Sequence, residues 1–483
     1  MGGVREAPVV ASVAFRTAVI VSLQAAAFQS IPRRMLWLSL FLGAVLSLAV
    51  CWGVATQALT VGSTQGGWHY PYGQRDTVTL ILLVRCLVWS AGAAALLLVP
   101  AQPPGLRPWS LLLVWILMAT GLQWLLRSMA PFPLETVFLS DNANSFYSVS
   151  QQHGAMEVLG QFNRIRVSAP LHVQSNMPGK LMLLYGLQLI STRTDVLPWL
   201  VIAVSNLGAI LMYVFVRDLF QNRRAALFAA VLYLFLPARN FFFPLMNTVT
   251  PTTAIACGWL LVRWLRTGRT VYAALMGLGL YALVLFEPLP LVMGLLFAAL
   301  VLAAIMRGEV AWDRFVGQAA VLVFVFIGTS ETVTAWSGFD VVRAFRAIGT
   351  HAVEFNEGTG RPYGVWVRAN LWEFAFGIGF CQATSFGVAL WSGLQGTGSW
   401  CERVTRPITA VCLGLLAVLV SVDLIGVNRG EVIRLWIFLA CFFQIPTAYA
   451  CATLDDRAAI VLVVAATALQ AALGVAMIHF VVP

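Results

Sequence analysis

Apolar residues in this chain fall in long unbroken blocks, with neither the two-residue alternation of a strand nor the single stripe of a surface helix. Blocks near the ~20 residues that a helix needs to cross a bilayer lie at about 36–57, 77–99, 108–128, 196–219, 225–240, 250–267, 271–287, 288–306, 316–336, 371–395, 407–426, 432–453 and 458–481. The pattern predicts an all-α polytopic membrane protein of about thirteen transmembrane helices. Residues 180–191 are apolar but too short to cross, which predicts a helix on or dipping into the membrane surface. Polar positions gather in two long segments, 129–195 and 337–370. The chain then divides into an N-terminal segment 1–35, spans in 36–128, the polar segment 129–195, a core of spans 196–336, the polar segment 337–370, and spans in 371–483.

Composition sharpens this reading. The chain is 60% hydrophobic and 10% charged, with a mean hydropathy of +0.83, which excludes a soluble globular protein. Arginines in short loops orient the spans. Arg33/Arg34, Arg107, Arg217 with Arg223/Arg224, Arg266/Arg269, Arg307/Arg314, Arg403/Arg406 and Arg457 fall on one side if the N-terminus is cytoplasmic. Both long polar segments, and the short loops near 240–249, 287 and 426–431, then lie together on the opposite, outer side of a plasma membrane. The stretch 1–35, with Arg5, Arg16, Arg33 and Arg34, suits a cytoplasmic surface helix better than a cleaved leader. The net charge of +10 is spread over these short loops, so it points to lipid or phosphate contacts and to no nucleic acid. The eight cysteines lack paired spacing and read as small buried apolar residues.

Ionisable groups concentrate in the first polar segment, which holds Asp141, His172 and the only lysine, Lys180. HVQSNMPGKLMLLYGLQLIS, followed by DVLPWLVIAVSNLGAILMYVFVRDLFQNRRAALFAAVLYLFLPARNFFFP, resembles the lipid-phosphate-dependent membrane glycosyltransferases of the GT-C class. The branch with protein O-mannosyltransferases and the lipid A aminoarabinose transferase is the most similar. A His stretch with Pro-Gly entering a short helix, a span ending in R-x-L-F-x-x-R-R-A-A-L, and a short span closing on proline carry the likeness over roughly residues 130–300. It implies a GT-C-like bundle with juxtamembrane helices in both outer segments, and an acidic residue in the first large outer loop followed by aromatics: Asp141, with Phe146 and Tyr147. Two departures stand out. The acidic loop follows the third span instead of the first, and Asp141 is followed by Asn-Ala-Asn instead of a second acid or tyrosine.

The resemblance implies transfer of a sugar from a polyprenyl-phosphate donor to an envelope glycan, lipid or protein acceptor at the outer face. Such chemistry needs one carboxylate as base and cations for the leaving phosphate. Asp141 fits the base; it also suits a helix cap before a helix at 143–159, with Glu135 and Glu157 as rival acids. Lys180, at a helix start behind Pro178-Gly179, suits a phosphate, or else anchors the helix to headgroups. His172 serves phosphate or acceptor, or is a solvated loop histidine, and His153 is a weaker candidate. In the second segment Arg361 and Arg368 are phosphate ligands, among residues expected to form a glycine-rich loop that orders around substrate. Glu431 and Arg434, three apart, share a helix face at a membrane boundary, with Arg434 on the phosphate and Glu431 orienting it. Glu287 reads as structural. No H-x-x-x-H, C-x-x-C or D-x-D spacing in the outer loops points to a metal, and the one metal role the chemistry would admit is a divalent cation bridging Asp141 and the phosphate. A transporter or flippase of a lipid-linked or anionic substrate is the rival reading, and a non-catalytic assembly subunit a third.

Overall fold

The computed structural model describes residues 31–73, 78–98, 108–454 and 457–483. The expected surface helix of 1–35 falls almost wholly outside these residues, as does Arg107. The described chain is helical apart from one short hairpin, Gly62–Ser63 paired with Trp68–His69. Helices dominate because a backbone in hydrocarbon must satisfy its own hydrogen bonds.

Among the described residues, eight helices are long and apolar enough to cross a membrane, or nine if one bent pair counts as a span. The expectation of about thirteen is therefore not reached. Each predicted block is helical, but Leu80–Ala95, Thr270–Phe286 and Ile437–Thr453 are short. Thr250–Thr267 carries Arg263 and Arg266 and is not among the eight. Arg223–Phe242 is entirely enclosed and forms the centre of the bundle. Its alanines at 225, 226, 229 and 230 let neighbouring backbones approach closely.

The predicted span 371–395 is the largest correction. It is two helices, Tyr363–Ile378 and Phe380–Gln395, meeting at 102°. Gly379 joins them at a φ of 96°, a backbone conformation open to glycine and costly for residues with a Cβ. The first of these helices starts inside the segment read as a flexible loop. The rest of that segment is largely the helix Val341–Gly358, capped by Asp340, whose Oδ1 accepts the Arg343 N–H at 2.9 Å.

Residues 129–195 are likewise folded, as a series of short helices in place of the single one expected at 143–159. Their apolar faces form a second core, in which Phe138, Phe146, Phe162 and Leu181 pack against Leu197, Phe286 and Phe339. Both polar segments thus rest on the bundle as ordered structure at one of its ends. Seven of the eight cysteines are buried, as expected, and Cys401 is exposed.

Candidate functional site at one end of the bundle

Asp141 begins the helical turn Asp141–Asn144, but it is not the cap. Ser140 holds that position, its Oγ accepting the Ala143 N–H at 3.3 Å. The Asp141 carboxylate is exposed and accepts a hydrogen bond from the Ser148 hydroxyl. The rival acids have other tasks: Glu157 accepts the Gly154 N–H at the start of its helix and pairs with His153 at 2.9 Å, while Glu135 accepts from Thr194. Tyr147 is tilted against Phe138, ring centroids 5.6 Å apart, at the edge of the second core.

His172 reaches the same turn, with Nε2 2.8 Å from the Asn142 carbonyl oxygen. A carbonyl only accepts, so Nε2 carries the proton and Nδ1 keeps a lone pair. Burial, and then the positive charge of Arg434, pushes this imidazole down to about 4, so it is neutral near pH 7.

Lys180 is fully buried, with Nζ 2.9 Å from Glu287 Oε2 and 2.5 Å from Asn176 Oδ1. Thr250 also donates to Glu287, at 2.6 Å. The Pro-Gly-Lys sequence explains the arrangement. A Cβ on Gly179 would lie 2.5 Å from the Leu285 carbonyl oxygen, so glycine lets the helix start press against the backbone just before Glu287. Burial lowers the lysine pKa, and Glu287 works against that shift. Glu287, read from the sequence as structural, is the partner of the candidate phosphate ligand.

Arg361, Glu431 and Arg434 form the second part of the site. Glu431 Oε1 lies 3.2 Å from Arg361 Nη2, and its Oε2 lies 2.5 Å from Arg434 Nη2. Burial alone would raise the Glu431 pKa, but Arg434 and Arg361 outweigh it and hold the carboxyl below its ordinary value. The Glu431 backbone has a φ of 60°, in the left-handed region that costs a non-glycine residue energy. Its neighbours fix that geometry. Arg361 donates to the Arg429 carbonyl at 2.7 Å, Asn370 accepts the Gly430 N–H at 3.1 Å, and Glu373 accepts the Val432 N–H at 2.9 Å. Strain held this firmly is a common feature of functional sites.

The two parts are close enough for their charges to interact, since His172 feels Arg434, Glu431 and Lys180. Arg368 is not part of this group. It is exposed on the helix whose Trp366, Asn370 and Glu373 face inward.

Three contributors were not picked out from the sequence. Trp68 and Tyr70, in and just after the hairpin that follows the first span, meet edge to face with ring centroids 4.5 Å apart, and Trp68 lies under the Arg361 guanidinium at 5.2 Å. Burial, then Glu373 and Glu431, raises the Tyr70 phenol well above its ordinary value. Glu373 is fully buried. The signal was the Gly-Gly-Trp-His-Tyr run, which the same arginine count places on the outer side. A further omission is Arg239, fully buried in the central helix. Its guanidinium donates to Tyr233 O at 2.6 Å, Ser205 Oγ at 2.8 Å and Asn206 Oδ1 at 3.0 Å, all neutral acceptors.

Among the described residues, no group of three or more His, Cys, Asp or Glu side chains is placed to hold a metal ion. The arrangement offers an exposed carboxylate, a neutral imidazole with a free lone pair, and two arginines bridged by one carboxylate. No protein-family model matches the chain, and no curated protein matches it.

Proposed function

We propose that this protein is an integral membrane glycosyltransferase of the GT-C kind, using a polyprenyl-phosphate sugar donor. The observation that carries the reading is that His172, bonded to the turn that Asp141 begins, lies within electrostatic reach of Arg434 and Glu431, on segments far apart in sequence at one end of an apolar bundle. A lipid phosphate travels at that depth, and arginine forks suit its oxygens. The likeness around residues 130–300 supports the same reading.

In this mechanism the donor lipid lies between helices and its phosphate meets Arg434 and Arg361. Asp141 takes the proton of the acceptor hydroxyl as that oxygen attacks the anomeric carbon. The bond from that carbon to the phosphate oxygen breaks, and polyprenyl phosphate leaves with the electron pair. A single displacement inverts the anomeric centre. His172 orients the acceptor through its unprotonated Nδ1, and Lys180, held by Glu287, adds positive potential behind the phosphate. Asp141 is the residue that would hold a divalent cation, and such an ion would supply charge neutralisation for the leaving phosphate.

The test is incubation of purified protein with labelled polyprenyl-phosphate mannose, and separately arabinofuranose. Release of free polyprenyl phosphate that Asp141→Asn abolishes, with expression and donor binding intact, is the expected result. Full activity in that variant overturns the assignment of the base. The rival reading, a transporter or flippase, draws on the 102° break at Gly379 and on Arg239 buried without a carboxylate, since broken helices and interior charges line transport paths. Movement of intact donor across a vesicle membrane, without its cleavage, would favour it.

A further inference from the structure

At the opposite, arginine-rich end of the bundle lies a cavity of about 400 Å³, independent of the site above. It opens where the helices Leu197–Phe220, Thr250–Thr267, Gly294–Met306 and Pro407–Ile425 end or begin. Its walls are apolar, with Phe220, Leu265, Leu300 and Ile408 among them. Its rim carries three arginines, Arg266, Arg307 and Arg406, against one carboxylate, Glu309.

That carboxylate is already committed. Arg307 holds Glu309 through two hydrogen bonds of 2.8 Å. Arg406 donates to the Thr397 carbonyl. Arg266 is exposed at the rim, and among the described residues it makes no hydrogen bond. Among the described residues, the other acid near Arg266, Asp218, is bound by Arg217 at 2.8 Å and by Trp259 at 3.0 Å. Among the described residues, one guanidinium fork at the rim, that of Arg266, is therefore unused.

We infer that this cavity binds an anionic glycerophospholipid, with the headgroup phosphate on Arg266 and an acyl chain along the apolar wall. The size suits a small-ligand site, which commonly falls at about 300–1,000 Å³. Apolar walls below a cationic rim match an amphiphile better than a free ion. Basic pockets between helices at the arginine-rich face are where anionic headgroups concentrate, because the facing leaflet is negatively charged. Glu309, paired with Arg307, leaves the Arg266 fork open.

The test is native mass spectrometry of the full chain, purified in neutral detergent and titrated with phosphatidylglycerol, phosphatidylcholine or inorganic phosphate. Wild type is expected to retain one phosphatidylglycerol and to discriminate against phosphatidylcholine by about tenfold, the worth of one charge-assisted hydrogen bond. Arg266→Gln should lose most of that preference and Arg266→Lys should recover part of it. Arg269→Gln, at the same end but not lining the cavity, should leave it unchanged. Equal retention of the two lipids, or an unaltered preference in Arg266→Gln, overturns the inference. So does inorganic phosphate competing at the concentration that phosphatidylglycerol requires, because it would mark an ion site with no role for the acyl chain.

Discussion

Lys180 and Glu287 form an ion pair of 2.9 Å in which the lysine is wholly enclosed and the glutamate almost so. The only lysine of the chain is thereby joined to a residue 107 positions away, and the first polar segment is fastened to the start of the loop after Thr270–Phe286. Removing one partner leaves the other charged and buried, which costs about 3–5 kcal/mol. Glu287→Gln and Lys180→Met should each lower unfolding stability by that order. The double variant should lose much less than the sum, since no lone charge remains. A double-mutant cycle from thermal or denaturant unfolding reads this directly. Additive losses would show that the two residues do not act as a pair.

Arg434 and Arg361 share Glu431, so their contributions to phosphate binding are linked. Arg434→Gln is expected to weaken polyprenyl-phosphate binding by roughly tenfold, the worth of a charge-assisted hydrogen bond. Glu431→Gln keeps both cations, so donor binding should survive while the 426–431 turn loosens. Arg368→Gln, on the exposed face of its helix, should bind donor like wild type. Donor titration by quenching of intrinsic tryptophan fluorescence separates these. Equal losses in the Arg368 and Arg434 variants would place the phosphate elsewhere.

The pH dependence of stability has a defined sign. His172 is pushed from an ordinary value of 6.5 to about 4, by burial first and then by Arg434. The unfolded chain therefore takes up this proton before the folded one does. Falling pH favours unfolding between 6.5 and about 4, and the effect vanishes above that window. Glu431 is held below its ordinary value of 4.5, so its contribution is present above 4.5 and is lost as pH falls further, through the folded value. His172→Asn should flatten the upper window and leave the acid limb. His351 and His479, also lowered by burial, supply the remaining slope. An unchanged profile in His172→Asn would mean that the imidazole is hydrated like a free one.

Much of this architecture is legible in the sequence because a bilayer admits few solutions. Unbroken apolar blocks have to be helices, and the arginine count brought residues 129–195, 287, 337–370 and 426–431 to one side. In the structure those segments touch. Span length was harder to read, because composition does not show where a helix bends. Gly379 looks like the other glycines of an apolar run, yet it alone turns 371–395 through 102°. The polar segments read as loops because their apolar residues are spaced for short helices packing on one another, a pattern with no long period. Asp141 and Ser140 both favour a cap, and only the backbone angles assign that role to Ser140. The sequence singles out Lys180 by its rarity but cannot supply Glu287, a partner on a distant helix. Arg239 lies between Pro237 and the aromatic run in a block whose mean hydropathy hides it.

The hairpin that brings Trp68 and Tyr70 to the site is joined to residues near 480. Gly73 donates to the Met477 carbonyl at 2.8 Å, His479 donates to the Pro71 carbonyl at 2.9 Å, and Phe480 lies 5.0 Å from the Tyr70 ring. An early and a late stretch of the polypeptide thus complete one structure. During synthesis, the helices that precede Met477 must be made before this clasp can close. A chain stalled before residue 477 would display the polar segments without this clasp on the hairpin beneath Arg361.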